Sequence, residues 1–570
     1  MTCEEMIQSE DYVDLLLPTG RAVRPVEGCL QELGLYDVLH VPYTMDFFST
    51  NYVFGYYLIP KLFGLLDTQT MEEAGILQVR RQSNLQLSGG GVLIGFIDTG
   101  IDFAGDVFRT LDGGTRVVSI WDQTVRGQED QAPEGFLYGR EYTQEEIDAA
   151  VRSVNPYQVL PSRDQNGHGT YIASLAAGRE SETGDFTGAA PAAQIAMVKL
   201  KPAKKNVRDY YLIREDAVAF QENDIMAGIR FLESLAASRA QPLVICIALG
   251  TNQGSRNGNL PLCRYMSSAG SVNGTVVVAG TGNETARAHH YEGNIGRDRA
   301  YDTVEVRVGE EEQKRGFTLE LWGRAPELFS VAIRSPGGEY IPRINIRLRK
   351  IEVIQFLLEG TEVEFNYRVV VQETGEFLVF MRFRNPSAGI WTFQIFPDIR
   401  ITGQFHMWLP MQHFISPDTV FLNPSPDTTM TSPADADTII AVSTYQAQDD
   451  SIYLNSGRGY RADGAIRPDL AAPGVNVTGY IPTPGNANEL RQTVRSGSSV
   501  STAIMAGASA LLLEWAIVRR FREVMTSDDA RSFFIRGARR SPSIMYPNRE
   551  WGYGILDMYG VFEQIRSQER

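Results

Sequence analysis

Residues 89–102 read Gly89-Gly90-Gly91-Val92-Leu93-Ile94-Gly95-Phe96-Ile97-Asp98-Thr99-Gly100-Ile101-Asp102. The run from Val92 to Ile97 carries no polar residue, so neither face of the strand it predicts can meet water. Strands of that kind belong to parallel sheets covered on both sides. Further unalternating runs are Ile195-Ala196-Met197-Val198, Leu243 to Leu249, Val276-Val277-Val278-Ala279 and Thr438-Ile439-Ile440-Ala441-Val442. Helical patterns at 169–177 and 223–237 separate them. Strands alternating with helices predict an α/β domain with a parallel sheet and helices on both faces. Such sheets bind their ligands at the carboxyl ends of the strands, which makes Asp98 a site candidate on position alone.

Outward from this centre the texture changes twice. Residues 1–65 predict a small α+β unit, with strands at Tyr12–Pro18 and Tyr36–Pro42 and a short helix from Arg24 to Gly34. From 301 to 425 the chain has short runs such as Phe317–Trp322, Val363–Val369, Phe377–Phe380 and Trp391–Phe396, separated by Gly, Pro and Asn turns. These predict an antiparallel β-sandwich inserted into the α/β domain, which is thereby divided into 66–300 and 426–570. Trp322, Trp391 and Trp408 are candidates for exposed binding aromatics. The sandwich then either binds carbohydrate or protein, or clamps the α/β domain, and the clamp is favoured.

The chain has 570 residues, and its 53 basic against 69 acidic residues leave a net charge of −16. That sign disfavours nucleic-acid and anionic-membrane partners. The longest apolar stretch, around Ala506 to Val518, is interrupted by Glu514 and is too short to span a bilayer. The N-terminus lacks a basic start followed by an apolar stretch, so no signal peptide is expected. Cys3, Cys29, Cys246 and Cys263 form no disulfide framework and no zinc pattern, which points to a reducing compartment, with Cys246 a buried thiol. His289-His290 is read as part of a surface loop, with no ligand set for a metal.

Three segments carry chemistry together: Asp98-Thr99-Gly100-Ile101-Asp102, then Asn166-Gly167-His168-Gly169-Thr170 opening a helix, then Ser496-Gly497-Ser498-Ser499 opening a long apolar helix. A serine hydroxyl needs a base to take its proton, and the base needs a carboxylate to fix its tautomer. Each segment alone reads as a cap or a turn. An acid, an imidazole and a hydroxyl beside glycines at element ends make an activated-nucleophile site.

These motifs, in the order Asp, His, Ser, resemble a subtilisin-type serine peptidase. Gly75–Val79, Arg467-Pro468-Asp469 and Trp551-Gly552-Tyr553-Gly554 resemble other segments of that family. The resemblance implies that Ser499 is the nucleophile, His168 the base and Asp98 its orienting acid, with Asn283 the oxyanion donor alongside the Ser499 N–H. It also implies that Leu249-Gly250 and Gly280-Thr281-Gly282 form the walls of the S1 pocket. After the nucleophile the family usually has Met-Ala-Thr-Pro-His, where this chain has Val500-Ser501-Thr502-Ala503-Ile504.

The strand reading Gly91–Asp102, the phrase Ile120-Trp121-Asp122-Gln123-Thr124 and the β-insertion are similar to the clostridial germination proteases, the Csp group. That likeness implies a jelly-roll insertion, a substrate that is a precursor of a spore-cortex hydrolase, and a cytoplasmic or spore-associated protein. It also implies that residues 1–65 are a propeptide cut off by the chain itself within 50–72, near Gly55-Tyr56-Tyr57 or beyond, and retained in the cleft. A separate N-terminal interaction domain is the alternative for this unit. No cofactor is expected; calcium is common in the family, but no ligand set for it is assigned here. The rival function is a catalytically quiet scaffold that binds or signals as a pseudoprotease.

Overall fold

The computed structural model describes every residue except 1, 22–27, 45–46, 48–55, 66–73, 83–84, 127–130, 182–183, 347–350, 372–373, 485 and 569–570. At its centre is a nine-stranded sheet. The strand Leu93–Asp98 lies in its middle, parallel to Leu243–Ile247 on one side and to Gln194–Lys199 on the other. Beyond Leu243–Ile247 the parallel order continues through Thr275–Gly280, Ile440–Gln446 and Leu470–Pro473. On the other flank Gln194–Lys199 pairs in parallel with Val117–Asp122, a strand the sequence reading leaves unassigned.

The unbroken apolar runs are explained by the two faces of this sheet. Side chains alternate across a strand, and here both sets are buried. Ile94 and Phe96 pack with helices His168–Ala177 and Ser498–Leu513, while Leu93 and Ile97 pack with helices Glu222–Ser238 and Pro261–Gly270. Gly95 sits in the strand because a methyl group there would stand 2.5 Å from the Leu232 side chain. The segment Ser498–Val518 is long and apolar enough to cross a membrane by length and composition, and it is almost entirely buried inside the fold.

The N-terminal unit is a three-stranded antiparallel sheet in the order Tyr12–Pro18, Tyr36–Pro42, Cys29–Glu32, with helix Cys3–Gln8 beside it. The helix expected from Arg24 to Gly34 is corrected over its described part. Cys29–Glu32 is a strand that pairs residue for residue with the following strand through a hairpin at Gly34, where φ is +91°. Its partner across the sheet outweighs its local preference. Cys3 and Cys29 are disulfide-bonded, which corrects the expectation of no disulfide framework to one bridge, whereas Cys246 and Cys263 are free and buried. Residues 26 apart in sequence gave no sign of the 5.5 Å Cα separation that permits this bridge.

The unit docks on the α/β domain through buried charge. Asp14 accepts from Lys204 Nζ at 2.6 Å and from Gln221 Nε2 at 2.8 Å, and its Oδ1 lies 2.6 Å from His40 Nδ1. Lys201 and Asp224, 2.8 Å apart, lie beside this cluster. Burial opposes the Asp14 carboxylate, but Lys204 and His40 hold it well below the usual carboxylate range. Burial also lowers His40, against the pull of Asp14.

The insertion consists of two antiparallel sheets and begins earlier than expected, at His290–Asn294 rather than at 301. One sheet has six strands, including Phe317–Gly323 and Phe377–Arg384; the other has five and ends with Val420–Phe421. Phe317, Leu319 and Leu321 face the second sheet. Glu320 and Trp322 alternate with them and are buried against the α/β domain, as are Leu378 and Phe380. This arrangement corrects two expectations. Trp322, Trp391 and Trp408 are at most 2% exposed, because Trp391 lies in the core between the two sheets and Trp322 and Trp408 lie on the outer face of the six-stranded sheet, which the α/β domain covers. His290 is in a strand, and both His289 and His290 are buried.

One carboxylate joins all three units. Glu320 accepts from Tyr56 Oη of the N-terminal unit at 2.6 Å, from Gly254 N of the α/β domain at 3.0 Å and from Trp322 Nε1 of the sandwich at 2.9 Å.

The docking of the N-terminal unit is predicted to weaken in acid. His40 is held neutral in the docked state. Its free form takes up a proton below about pH 6.5, so docking loses stability as pH falls past that value. The Asp14 contribution follows as pH falls below about 4. Hydrogen exchange should report lower protection of Tyr12–Pro18 and Tyr36–Pro42 at about pH 5.5 than at about 7.5. Lys204→Met, which leaves Asp14 buried without its cation, should cost about 3–5 kcal/mol at neutral pH. Unchanged protection in both experiments would remove the buried cluster as the docking device.

Candidate active site

The three chemical groups arrive on three different elements. Asp98 is the last residue of the central strand, His168 the first of helix His168–Ala177, and Ser499 the second of helix Ser498–Leu513. His168 Nδ1 lies 2.8 and 3.0 Å from the two Asp98 oxygens, and its Nε2 lies 3.0 Å from Ser499 Oγ. All three residues are buried. The approach of the His168 helix depends on Gly169, where a methyl group would strike the Gly100 carbonyl and lie 3.2 Å from Asp98 Cβ. Gly497 precedes the serine with φ 146° and ψ −178°, a conformation open essentially to glycine alone.

Sequence reasoning missed the residue that shapes the loop before His168. Asp164 is buried and accepts from Thr99 Oγ1, Gly167 N, Thr170 N and Thr170 Oγ1, each at 2.8 Å, and from Asn166 N at 3.1 Å. Thr99 completes the link, since its Oγ1 also accepts from Gly169 N at 3.0 Å. Burial pushes the Asp164 carboxyl up, and the bonds from Thr170, Gly167 and Thr99 oppose it. The available signal was an aspartate two residues before Asn166-Gly167-His168, the spacing at which a carboxylate caps its own turn. Asp102, in the quoted strand motif, is buried and joins the same network. Burial pushes it up to about 6, and its Oδ1 accepts from Asp164 N at 3.2 Å.

Asn283 stands where an acceptor would be welcome. Its Oδ1 accepts from Ser498 N at 3.1 Å, which fixes the amide, while its Nδ2 is buried with no partner among the described residues. A buried donor left unpaired costs about 1–3 kcal/mol, so an oxygen placed there would be stabilised. Among the expected pocket walls, Leu249-Gly250 forms a short buried strand. Gly280 packs on Ser498 and Thr502, and Gly282 on Thr431. Thr281 accepts from Thr431 N at 2.9 Å.

A strand of the chain's own N-terminal region lies beside these groups. Leu62–Leu65 pairs antiparallel with Leu249–Gly250 on one edge and with Phe220–Gln221 on the other. Lys61 N donates to Glu222 Oε2 at 3.1 Å and Leu62 N to Gln253 Oε1 at 3.0 Å, which secures the start of the strand. An extended segment inserted between two short strands is the way peptide clefts hold their ligands. Tyr56 and Tyr57, near the expected cut, are buried in a short helical turn upstream; Gly55 and most of 50–72 lie outside the described residues.

Comparison with known proteins agrees with this geometry. The model of the subtilase family matches residues 89–306 and 421–554, which together exceed half of the chain. Nearly all of the unmatched gap between them is sandwich. The subtilisin-like protease SBT3.1 of Arabidopsis thaliana is 24% identical over 480 residues, 79% of this chain and 57% of that protein. The serine protease AprX of Bacillus subtilis is 32% identical over 107 residues, 16% of this chain and 24% of that protein. The chain thus spans little more than half the length of the first of these relatives. Among solved structures, the Clostridium perfringens CspB protease superposes with a TM-score of 0.76 at 27% identity, over 87% of this chain and 97% of that one.

Asp164→Ala should lower the rate at which Ser499 reacts with a fluorophosphonate probe. Leaving the loop's buried donors unpaired costs about 1–3 kcal/mol, or roughly 10- to 100-fold in rate if the loop shifts. Wild-type labelling by the folded variant would mean that the network does not position His168.

Proposed function

Because the chain belongs to the subtilase family, we propose that it is a serine endopeptidase that cuts a protein substrate through an acyl-enzyme. The observation that carries this reading is the continuous chain from Asp98 through His168 to Ser499 Oγ, with every link at 2.8–3.0 Å. Ser499 Oγ attacks the scissile carbonyl and His168 Nε2 takes its proton. The Asp98 carboxylate accepts from Nδ1–H, holding the ring in the reactive tautomer and stabilising the imidazolium. The oxyanion of the tetrahedral intermediate accepts from Asn283 Nδ2 and from the Ser499 N–H. Collapse passes the proton from His168 to the leaving amine, and water, deprotonated by the same nitrogen, releases the acyl group. All four residues that a quiet pseudoprotease would be free to lose are present, and three of them are linked at 2.8–3.0 Å, which supports the active reading.

The first substrate is proposed to be the chain itself. Leu62–Leu65 pairs as the acyl half of a peptide substrate would, so the bond to be cut lies beyond Leu65, in 66–72. The N-terminal unit is then a propeptide, retained by the buried Asp14 cluster and by Tyr56. Ser499 is fully buried, and the retained unit is proposed to keep other proteins from it until that unit shifts. The sandwich is proposed as a clamp, since the sheet that meets the α/β domain is buried on both faces. The likeness to the Csp group extends the proposal to a substrate that is a precursor of a spore-cortex hydrolase, with the protein cytoplasmic or spore-associated. No cofactor has a part in this mechanism.

Intact-mass analysis tests the reading. Wild-type protein should yield two fragments, the second starting in 67–73, while Ser499→Ala remains whole. Asn283→Ala should process about 10²- to 10³-fold more slowly. A wild-type chain that stays whole and does not label with a fluorophosphonate would leave a binding scaffold. The hydrolase precursor incubated with processed enzyme whose N-terminal unit has been displaced should be shortened at one bond, and its persistence intact would remove the germination substrate alone.

A further inference from the structure

A cavity of about 950 Å³ opens from the catalytic groups, with His168 and Asn283 in its wall. Among the described residues, neither the strand Leu62–Leu65 nor the two strands it pairs with line this space. It is therefore the half of the cleft that the acyl strand does not occupy. Its far wall is basic: Arg214, Arg287, Arg307 and Arg495 line it, against the single carboxylate of Asp216. Arg214 is already matched, by Asp216 and by Glu311. Among the described residues, the other three have no carboxylate within ion-pair distance.

These three come from separate elements. Arg287 lies in the turn that follows Asn283, and Arg307 on the sandwich strand Asp302–Val308. Arg495 ends the strand Asn486–Arg495, just before the Ser499 helix. Arg287 and Arg307 are exposed, and Arg307 Nε is steadied by the Asp418 carbonyl at 3.1 Å. The Arg495 guanidinium lies 5.4 Å from the centre of the Tyr171 ring. In a chain of net charge −16, three cations converging unneutralised on one cavity run against the composition. Their field is focused by the low-dielectric walls. Guanidinium groups suit carboxylates in particular, through paired N–H donors.

The sequence that follows the cleft strand has the complementary charge. Leu66-Asp67-Thr68-Gln69-Thr70-Met71-Glu72-Glu73 contains three acids and no base. From these two independent observations we infer that the leaving-group half of the cleft selects an acidic peptide segment. Arg287, Arg307 and Arg495 receive Asp or Glu side chains on the carboxyl-terminal side of the bond to be cut. The inference rests on the serine-peptidase reading and adds to it the charge of its substrates.

The test follows self-processing of the refolded full-length chain, because its own strand Leu62–Leu65 fills the acyl half of the cleft. The rate at which intact mass is lost is compared between the wild type and a chain carrying Asp67→Asn, Glu72→Gln and Glu73→Gln. Each exposed pair is worth about two- to fivefold, so the neutralised chain should process about tenfold or more slowly. The difference should shrink at about 0.5 M salt. It should fall to about two- to fivefold in the double variant Arg287→Gln, Arg307→Gln, which keeps Arg495, and persist in full in Arg287→Lys, Arg307→Lys. Equal rates for the two chains, or a difference untouched by the Gln variant, overturn the inference. So does a wild-type chain that stays whole although its Ser499 labels with a fluorophosphonate. Absence of labelling overturns instead the peptidase reading beneath it.

Discussion

The imidazole of His168 must satisfy two partners at once, an acid at one nitrogen and a hydroxyl at the other, and the ring has no freedom to compensate for error in either. Asp98 comes from the middle of the sheet and Ser499 from a helix more than three hundred residues later in the chain. The sheet places the first and the helix start places the second. The loop before His168 is drawn into line by the Asp164 carboxylate, which gathers five hydrogen bonds and reaches through Thr99 to the same glycine that lets the helix approach. The site is held by buried, hydrogen-bonded supports, and the Asn283 amide donor, without a partner among the described residues, is the one a reacting oxygen would use.

Much of this was legible because the backbone imposes it. An apolar run with no alternation has only one home, and an aspartate at its carboxyl end, a glycine before and after a histidine, and a glycine before a serine are local necessities of the geometry. What the sequence concealed depends on partners distant in the chain. Cys29–Glu32 has no strand signature of its own and becomes one by pairing with Tyr36–Pro42. Trp322 and Trp408 read as exposed because the alternation of their strands places them away from the sandwich core. The face they occupy is covered by another domain, which no period in the strand can reveal. His289 was similarly obscured: Glu284, five residues earlier, holds its Nδ1 at 2.8 Å inside the protein. Asp164 was visible as a residue but not as a hub.

The three units are bound by polar contacts as much as by apolar area. Asp14 with Lys204 on one side, and Glu320 with Tyr56 and Gly254 on the other, are buried groups whose partners belong to different units. Separating the units would expose each charge or leave it unmatched, so such contacts define a geometry more sharply than they add stability. Burial also lowers Lys61 to about 8, with Glu222 and Glu320 supporting its charged form. The sandwich is thus part of the wall against which the N-terminal unit rests.

The pairing of Leu62–Leu65 with Leu249–Gly250 has one more consequence. In a ladder of β-strands a shift by one residue turns every side chain to the opposite face. Leu65 opposite Leu249 and Gly64 opposite Gly250 therefore act as marks on a ruler fixed to the catalytic serine. The buried ties at Lys61 and Tyr56 hold the zero of that ruler. Under the proposed self-cleavage, where the chain is cut is then a matter of counting from the anchor, and a residue inserted between Lys61 and Leu65 would move the bond along the text without moving it in space.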